Sequence, residues 1–211
     1  MTKSRFISTS VLSGLLLLAL SLISFIYIVQ TFRYFSNDPT ALSGFWEIRY
    51  WLYLHIVGGI LALLIGPFQL WSAFRNRFRK LHKKLGYVYV FSILISCLCS
   101  FYMTINHAFD LHWTWSFSLQ CLAITWLTTT IMAVFTARRK QIEDHQKWMI
   151  RSYVVTLAFV THRWLVDLPF IVNLGNFVER APTTIWVAWS IPLLVCEVYF
   201  QLSKKPIQTI Q

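Results

Sequence analysis

The chain has 211 residues, 56% of them hydrophobic and 13% charged, with a mean hydropathy of +0.55 and a formal net charge of +11 at pH 7. This is the balance of a membrane protein and excludes an ordinary soluble domain. It holds no G-x-S-x-G, H-E-x-x-H or phosphate-binding loop, so no soluble hydrolase or nucleotide-binding chemistry is indicated.

Cutting the chain at its charged residues leaves six apolar runs, at about 11–32, 50–74, 85–108, 113–137, 148–172 and 182–202. Each is long enough, at about 20 residues or more, for a helix to cross a hydrocarbon layer about 30 Å thick. The expected fold is all-α: a polytopic bundle of six transmembrane helices forming a single integral membrane domain over residues 1–211. The first run follows Lys3 and Arg5, is too long for a signal-peptide core and has no cleavage site after it, so it reads as a retained helix. Basic side chains set the orientation. Lys3, Arg5, the cluster from Arg75 to Lys84, Arg138 to Lys147, and Lys204 and Lys205 all fall on one side. Only Arg33, Arg49 and Arg180 fall on the other, which puts both termini in the cytoplasm. These basic collars face anionic lipid, and no nucleic-acid motif accompanies them. The expected setting is the inner membrane of a bacterium, with lipid as the surrounding partner.

The second run opens on an aromatic belt, Trp46, Tyr50, Trp51 and Tyr53, and places His55 about 9 Å below that interface. Gly58, Gly59, Ala62 and Gly66 then allow close approach of another helix or of a flat cofactor, and Pro67 frees the carbonyl of Leu63. His82 stands at the mouth of the third run; His107 and His112 flank the turn at Asp110. The fourth run carries Thr128, Thr129 and Thr130, whose hydroxyls bond within their own helix or across to a neighbour. The four cysteines all lie in apolar runs without a CxxC pair and read as packed thiols.

The fifth run is the exception. Between Glu143 and Asp167 it holds His145, Arg151, His162, Arg163 and Asp167. An ionisable group at mid-depth costs about 2.5–3.5 kcal/mol even on lenient scales, so these groups serve either as internal glue or as a working site. Arg163 and Asp167 stand four residues apart, the spacing of an ion pair within a helix. Glu197 on the sixth run lies at the depth of Arg151, which predicts an ion pair between helices. By depth the polar groups form two layers: His55, His162, Arg163 and Asp167 in one, and His82, His145, Arg151 and Glu197 in the other.

The segments HIVGGILALLIGPFQL, LHKKLGYVYV, ITWLTTT, DHQKWMIRSYVVTLAFVTHRW and IWVAWSIPLLVCEVY, in that order over about residues 50–200, resemble the bacterial membrane protein family catalogued as domain of unknown function 2306. That resemblance implies a multi-helix inner-membrane protein without an assigned activity. His55, His82, His145, Trp148, Arg151, Arg163 and Glu197 match its pattern, whereas the family more often has an apolar residue in place of His162. More distantly, six helices with histidines near both faces are similar to the transmembrane b-type cytochromes. That likeness implies b-type haem, with quinone or another redox partner as the source or sink of electrons. A haem needs two imidazoles at one depth on facing helices with small residues beside the ring. His55 with His162 or His107 would make one site, and His82 with His145 the other, with Arg151 and Arg163 available to the propionates. The alternatives are a non-catalytic assembly, lipid-binding or sensor protein, or a small proton-linked transporter, for which no internal repeat is visible. The sequence does not fix substrate or oligomeric state.

Overall fold

The computed structural model describes residues 22–36, 38–108 and 112–203. Every long element among them is a helix and none is a strand. We number the main helices α1 (Leu22–Phe35), α2 (Arg49–Leu70), α3 (Arg79–Met103), α4 (Trp113–Arg138), α5 (Ile142–Val166) and α6 (Phe177–Leu202). The part of the first apolar run before residue 22 lies outside the described residues, as do Lys3, Arg5, Asp110, Lys204 and Lys205.

Four helices, α2, α3 with its π-turn extension, α4 and α6, are long and apolar enough to cross a membrane. Their apolar residues are distributed inside out. On α2, Leu54, Val57, Leu61, Leu64 and Phe68 recur at helical spacing and are all exposed, and α6 shows the same with Val187, Ile191, Leu194 and Val198. Exposed stripes this long on several helices are what a lipid environment requires. The helix that departs from this pattern is α5. No residue of α5 from His145 to Arg163 is exposed, because α2, α4 and α6 all pack on it. This central position explains how α5 keeps Arg151, His162 and Arg163: its polar groups face protein and not lipid.

Helix ends differ from the apolar runs, for local reasons. Helix α3 begins at Arg79, six residues before its apolar run, so His82 lies inside its first turns. Helix α5 likewise begins at Ile142 and takes in His145. Charged collars are compatible with helix, and only the apolar pattern stops there. Helix α6 begins at Phe177 because Asn176 and Glu179 form a capping box, each side chain accepting the other's backbone N–H. Before it, Gly175 adopts φ of +149°, a region that side-chain-bearing residues rarely enter.

The small residues of α2 are filled by neighbours. A Cβ on Gly58 would come within 2.6 Å of the Ser92 carbonyl of α3, so this glycine sets the α2–α3 approach. At Gly66 the same atom would meet the ring of Tyr153 on α5. Pro67, with no N–H, leaves the Leu63 carbonyl without its helical donor, and the Tyr153 hydroxyl donates to that carbonyl at 3.3 Å. A buried hydroxyl network ties α3, α4 and α5: Tyr89 Oη lies 2.9 Å from Ser152 Oγ and 3.2 Å from Thr156 Oγ1, and Thr130 Oγ1 lies 2.8 Å from Ser152 Oγ. The indole N–H of Trp126 donates to Thr156 at 2.9 Å.

Candidate functional site

Two cavities, one towards each end of the bundle, collect three of the six histidines. The larger, about 300 Å³, lies at the end rich in basic residues, between α2, α3, α4 and α5. His82 and His145 both line it. Neighbouring elements hold each ring in place. The Nδ1–H of His145 donates to the Ala133 carbonyl of α4 at 2.8 Å, which in the neutral ring fixes the tautomer with the lone pair on Nε2. Gln69 of α2 is buried and donates to the His82 carbonyl at 3.3 Å. The Nδ1 of His82 is buried without a hydrogen-bond partner. Gly86, one turn along α3, has only the Gln69 side-chain oxygen at 3.3 Å from where its Cβ would stand, so the wall beside His82 is bare. Val90, Val134 and Met149 form the apolar floor, and Lys83 and Arg138, both exposed, stand at the mouth.

The second cavity, about 170 Å³, lies towards the other end among α2, α3, α4 and α5. His55 is on its wall. Its Nδ1–H donates to the Ser96 carbonyl at 2.9 Å, and the Ser96 hydroxyl donates to the His55 carbonyl at 2.8 Å, so α2 and α3 are cross-linked through both residues. The remaining wall is mostly aromatic and aliphatic, including Trp115, Trp126 and Phe159. The two cavities are joined through the polar network, because Trp126 on the wall of one and Tyr89 on the wall of the other both bond Thr156.

Arg151 and Glu197 form an ion pair between α5 and α6. Nε donates to Oε1 and Nη2 donates to Oε2 at 2.9 Å, the two-pronged geometry of guanidinium and carboxylate. The guanidinium also lies 4.5 Å from the Trp148 ring centre and 4.8 Å from that of Phe200. Committed in this way, Arg151 does not line the cavity of His82 and His145, whose cations are Lys83 and Arg138.

Three sequence expectations are corrected. His162 does not share the His55 cavity: its Nδ1 lies 3.0 Å from Thr184 Oγ1, whose own proton goes to the Ala181 carbonyl, so His162 donates and fastens α5 to α6. Arg163 faces α1, where it lines a small cavity with Tyr27, Gln30 and Arg33 whose wall includes no imidazole. Among the described residues it makes no ion pair with Asp167, because α5 ends at Val166 and Asp167 is an exposed residue at the turn. His112 bonds Thr114 at 2.6 Å at the start of α4. Among the described residues no group of three or more metal-ligating side chains gathers, so what the larger cavity offers is a pair of imidazoles. Sequence reasoning missed Gln69, Gly86 and the Ser96 partner of His55. It counted Arg180 only towards orientation, whereas among the described residues its Nε and Nη1 are buried without partners.

An all-helical bundle with lipid-type apolar stripes outside and paired polar groups inside is a polytopic membrane protein. The chain belongs to the family described as Predicted membrane protein (DUF2306), whose model matches residues 52–200 and so takes in the larger cavity, His55 and the Arg151–Glu197 pair. No curated protein and no solved structure matches the chain.

Proposed function

We propose that the protein is an inner-membrane redox protein that holds one b-type haem in the larger cavity, where His82 and His145 are the imidazoles that would hold it. The observation that carries this reading is the meeting of two imidazoles from different helices, each now inside its helix, on the wall of one cavity of about 300 Å³. Such a volume is at the lower end of cofactor pockets, about 300–1,000 Å³, and the cavity is open at its mouth. The donor set fits. His145 presents Nε2 with its other nitrogen held by a backbone carbonyl, the usual arrangement of a metal-ligating histidine. Gly86 leaves space beside His82, Lys83 and Arg138 stand where carboxylates would emerge, and Val90, Val134 and Met149 exclude water below. Bound there, haem supplies reversible one-electron transfer. The residues' own part is to fix the ring nitrogens, pair with its carboxylates and keep the floor dry.

The smaller cavity does not fit a second macrocycle: it is about 170 Å³, holds one imidazole, and Gly58 and Gly66 are occupied by Ser92 and Tyr153. In this reading the chain spans the bilayer six times, α5 crossing inside a sheath of its neighbours. The basic end, and with it the haem, faces the cytoplasm. The test is the reduced-minus-oxidised absorption spectrum of the purified protein. A Soret band that shifts on reduction and is lost in both His82→Ala and His145→Ala, but kept in His162→Ala, supports the reading. A colourless protein overturns it and leaves a non-catalytic lipid-binding or assembly role.

A further inference from the structure

The smaller cavity is not used by the function proposed above, yet the imidazole on its wall is selective. The Ser96 carbonyl can only accept, so the proton of neutral His55 is on Nδ1 and Nε2 carries a lone pair. Among the described residues Nε2 makes no hydrogen bond, so it takes a donor and refuses an acceptor. The space around it suits a ring. An apolar cavity of about 150 Å³ accommodates benzene, and this one measures about 170 Å³. Phe159 lies edge-on to the His55 imidazole, with ring centres 6.0 Å apart, and Trp126 packs against Phe159 at 4.9 Å. With Trp115 on the wall as well, flat aromatic faces surround the space, and stacked or edge-on aromatic pairs add to simple burial. Ala123 on α4 leaves the volume open where a larger side chain would close it.

We infer that this cavity binds a single aromatic ring bearing a hydroxyl donor, a phenol or hydroquinone headgroup, with its O–H directed to Nε2 of His55. The site stands independently of the haem reading, since it needs nothing from His82 or His145.

The experiment is isothermal titration of the full-length protein in detergent with a tailless monocyclic hydroquinone, its dimethyl ether and a decyl-tailed hydroquinone. The hydroquinone binds saturably and the ether, which cannot donate, binds about tenfold more weakly or not at all. Ala123→Leu, which fills the cavity, and His55→Phe, which removes the acceptor, each abolish the preference, while His82→Ala retains it. Equal affinity of the tailless and the decyl-tailed hydroquinone sets a ring entering from water, and a tenfold gain with the tail sets one entering from lipid, each provided the ether discrimination holds. Equal binding of hydroquinone and ether by the unaltered protein, an observation that depends on no variant folding, overturns the inference. So does undiminished hydroquinone binding by folded Ala123→Leu.

Discussion

The Arg151–Glu197 pair permits a quantitative test of how this bundle tolerates charge. Removing one member of a fully buried ion pair typically costs about 3–5 kcal/mol, most of it from the charge left behind. Here the Arg151 side chain is 15% exposed and that of Glu197 44%, so solvent screens part of the loss. The expected cost of Glu197→Gln is therefore about 1–2 kcal/mol. Arg151→Met costs somewhat more, because the guanidinium also packs between the Trp148 and Phe200 rings. Replacing both, Arg151→Met with Glu197→Gln, leaves no charge unpaired, so the double variant falls well short of the summed single effects. The assay is a double-mutant cycle of reversible unfolding in mixed micelles titrated with sodium dodecyl sulfate. A coupling energy of about 1–2 kcal/mol is expected. Additive effects, or single variants as stable as the parent, refute the reasoning that this pair secures α5 to α6.

Three other expectations follow from the packing and the ends of helices. Gly66→Ala drives a methyl group into the Tyr153 ring and lowers stability by about 1–3 kcal/mol in the same assay, whereas Gly59→Ala, with open space around it, has little effect. Asn176→Ala removes the reciprocal cap of α6 and costs about 1 kcal/mol, seen also as faster amide exchange at Glu179. In the loop before α2, hydrogen bonds from the Thr40 hydroxyl and backbone N–H, each 2.8 Å, hold the Asp38 carboxyl below its ordinary value. A depressed folded-state value stabilises above the unfolded Asp value and is lost as pH falls through the folded one. An NMR titration should therefore give an Asp38 midpoint below that of a free aspartate, rising in Thr40→Ala.

What the sequence revealed and what it withheld divide along a physical line. Depth is a one-dimensional quantity, and counting 1.5 Å per residue from each interface was enough to put Arg151 level with Glu197 and His82 level with His145. The structure joins the first pair and brings the second to one cavity. Azimuth is harder, because it depends on how each helix is rotated against its neighbours. That is why His162, at a depth close to that of His55, turns towards Thr184 on α6 and not into the His55 cavity. Helix ends were misplaced for a different reason: reading by apolarity stops at a charged collar, while the helix continues through Arg79–Lys84 and begins again at Ile142. Of the hydroxyl network only Thr130 was singled out, without its partner; Tyr89, Ser152 and Thr156 gave no signal because isolated hydroxyls on apolar helices follow no period. Pro67 did give a usable signal, since a freed carbonyl in hydrocarbon needs a donor, although nothing in the sequence named Tyr153 as that donor.

The central claim is that one cavity, and not two, is built for a macrocycle. The direct measurement is the haem content of the purified protein, determined by pyridine haemochrome assay against protein concentration from amino-acid analysis. One haem per chain, falling to none in His145→Ala and unchanged in His55→Ala, is the predicted result. No haem, or two per chain with half lost on replacing His55, contradicts it.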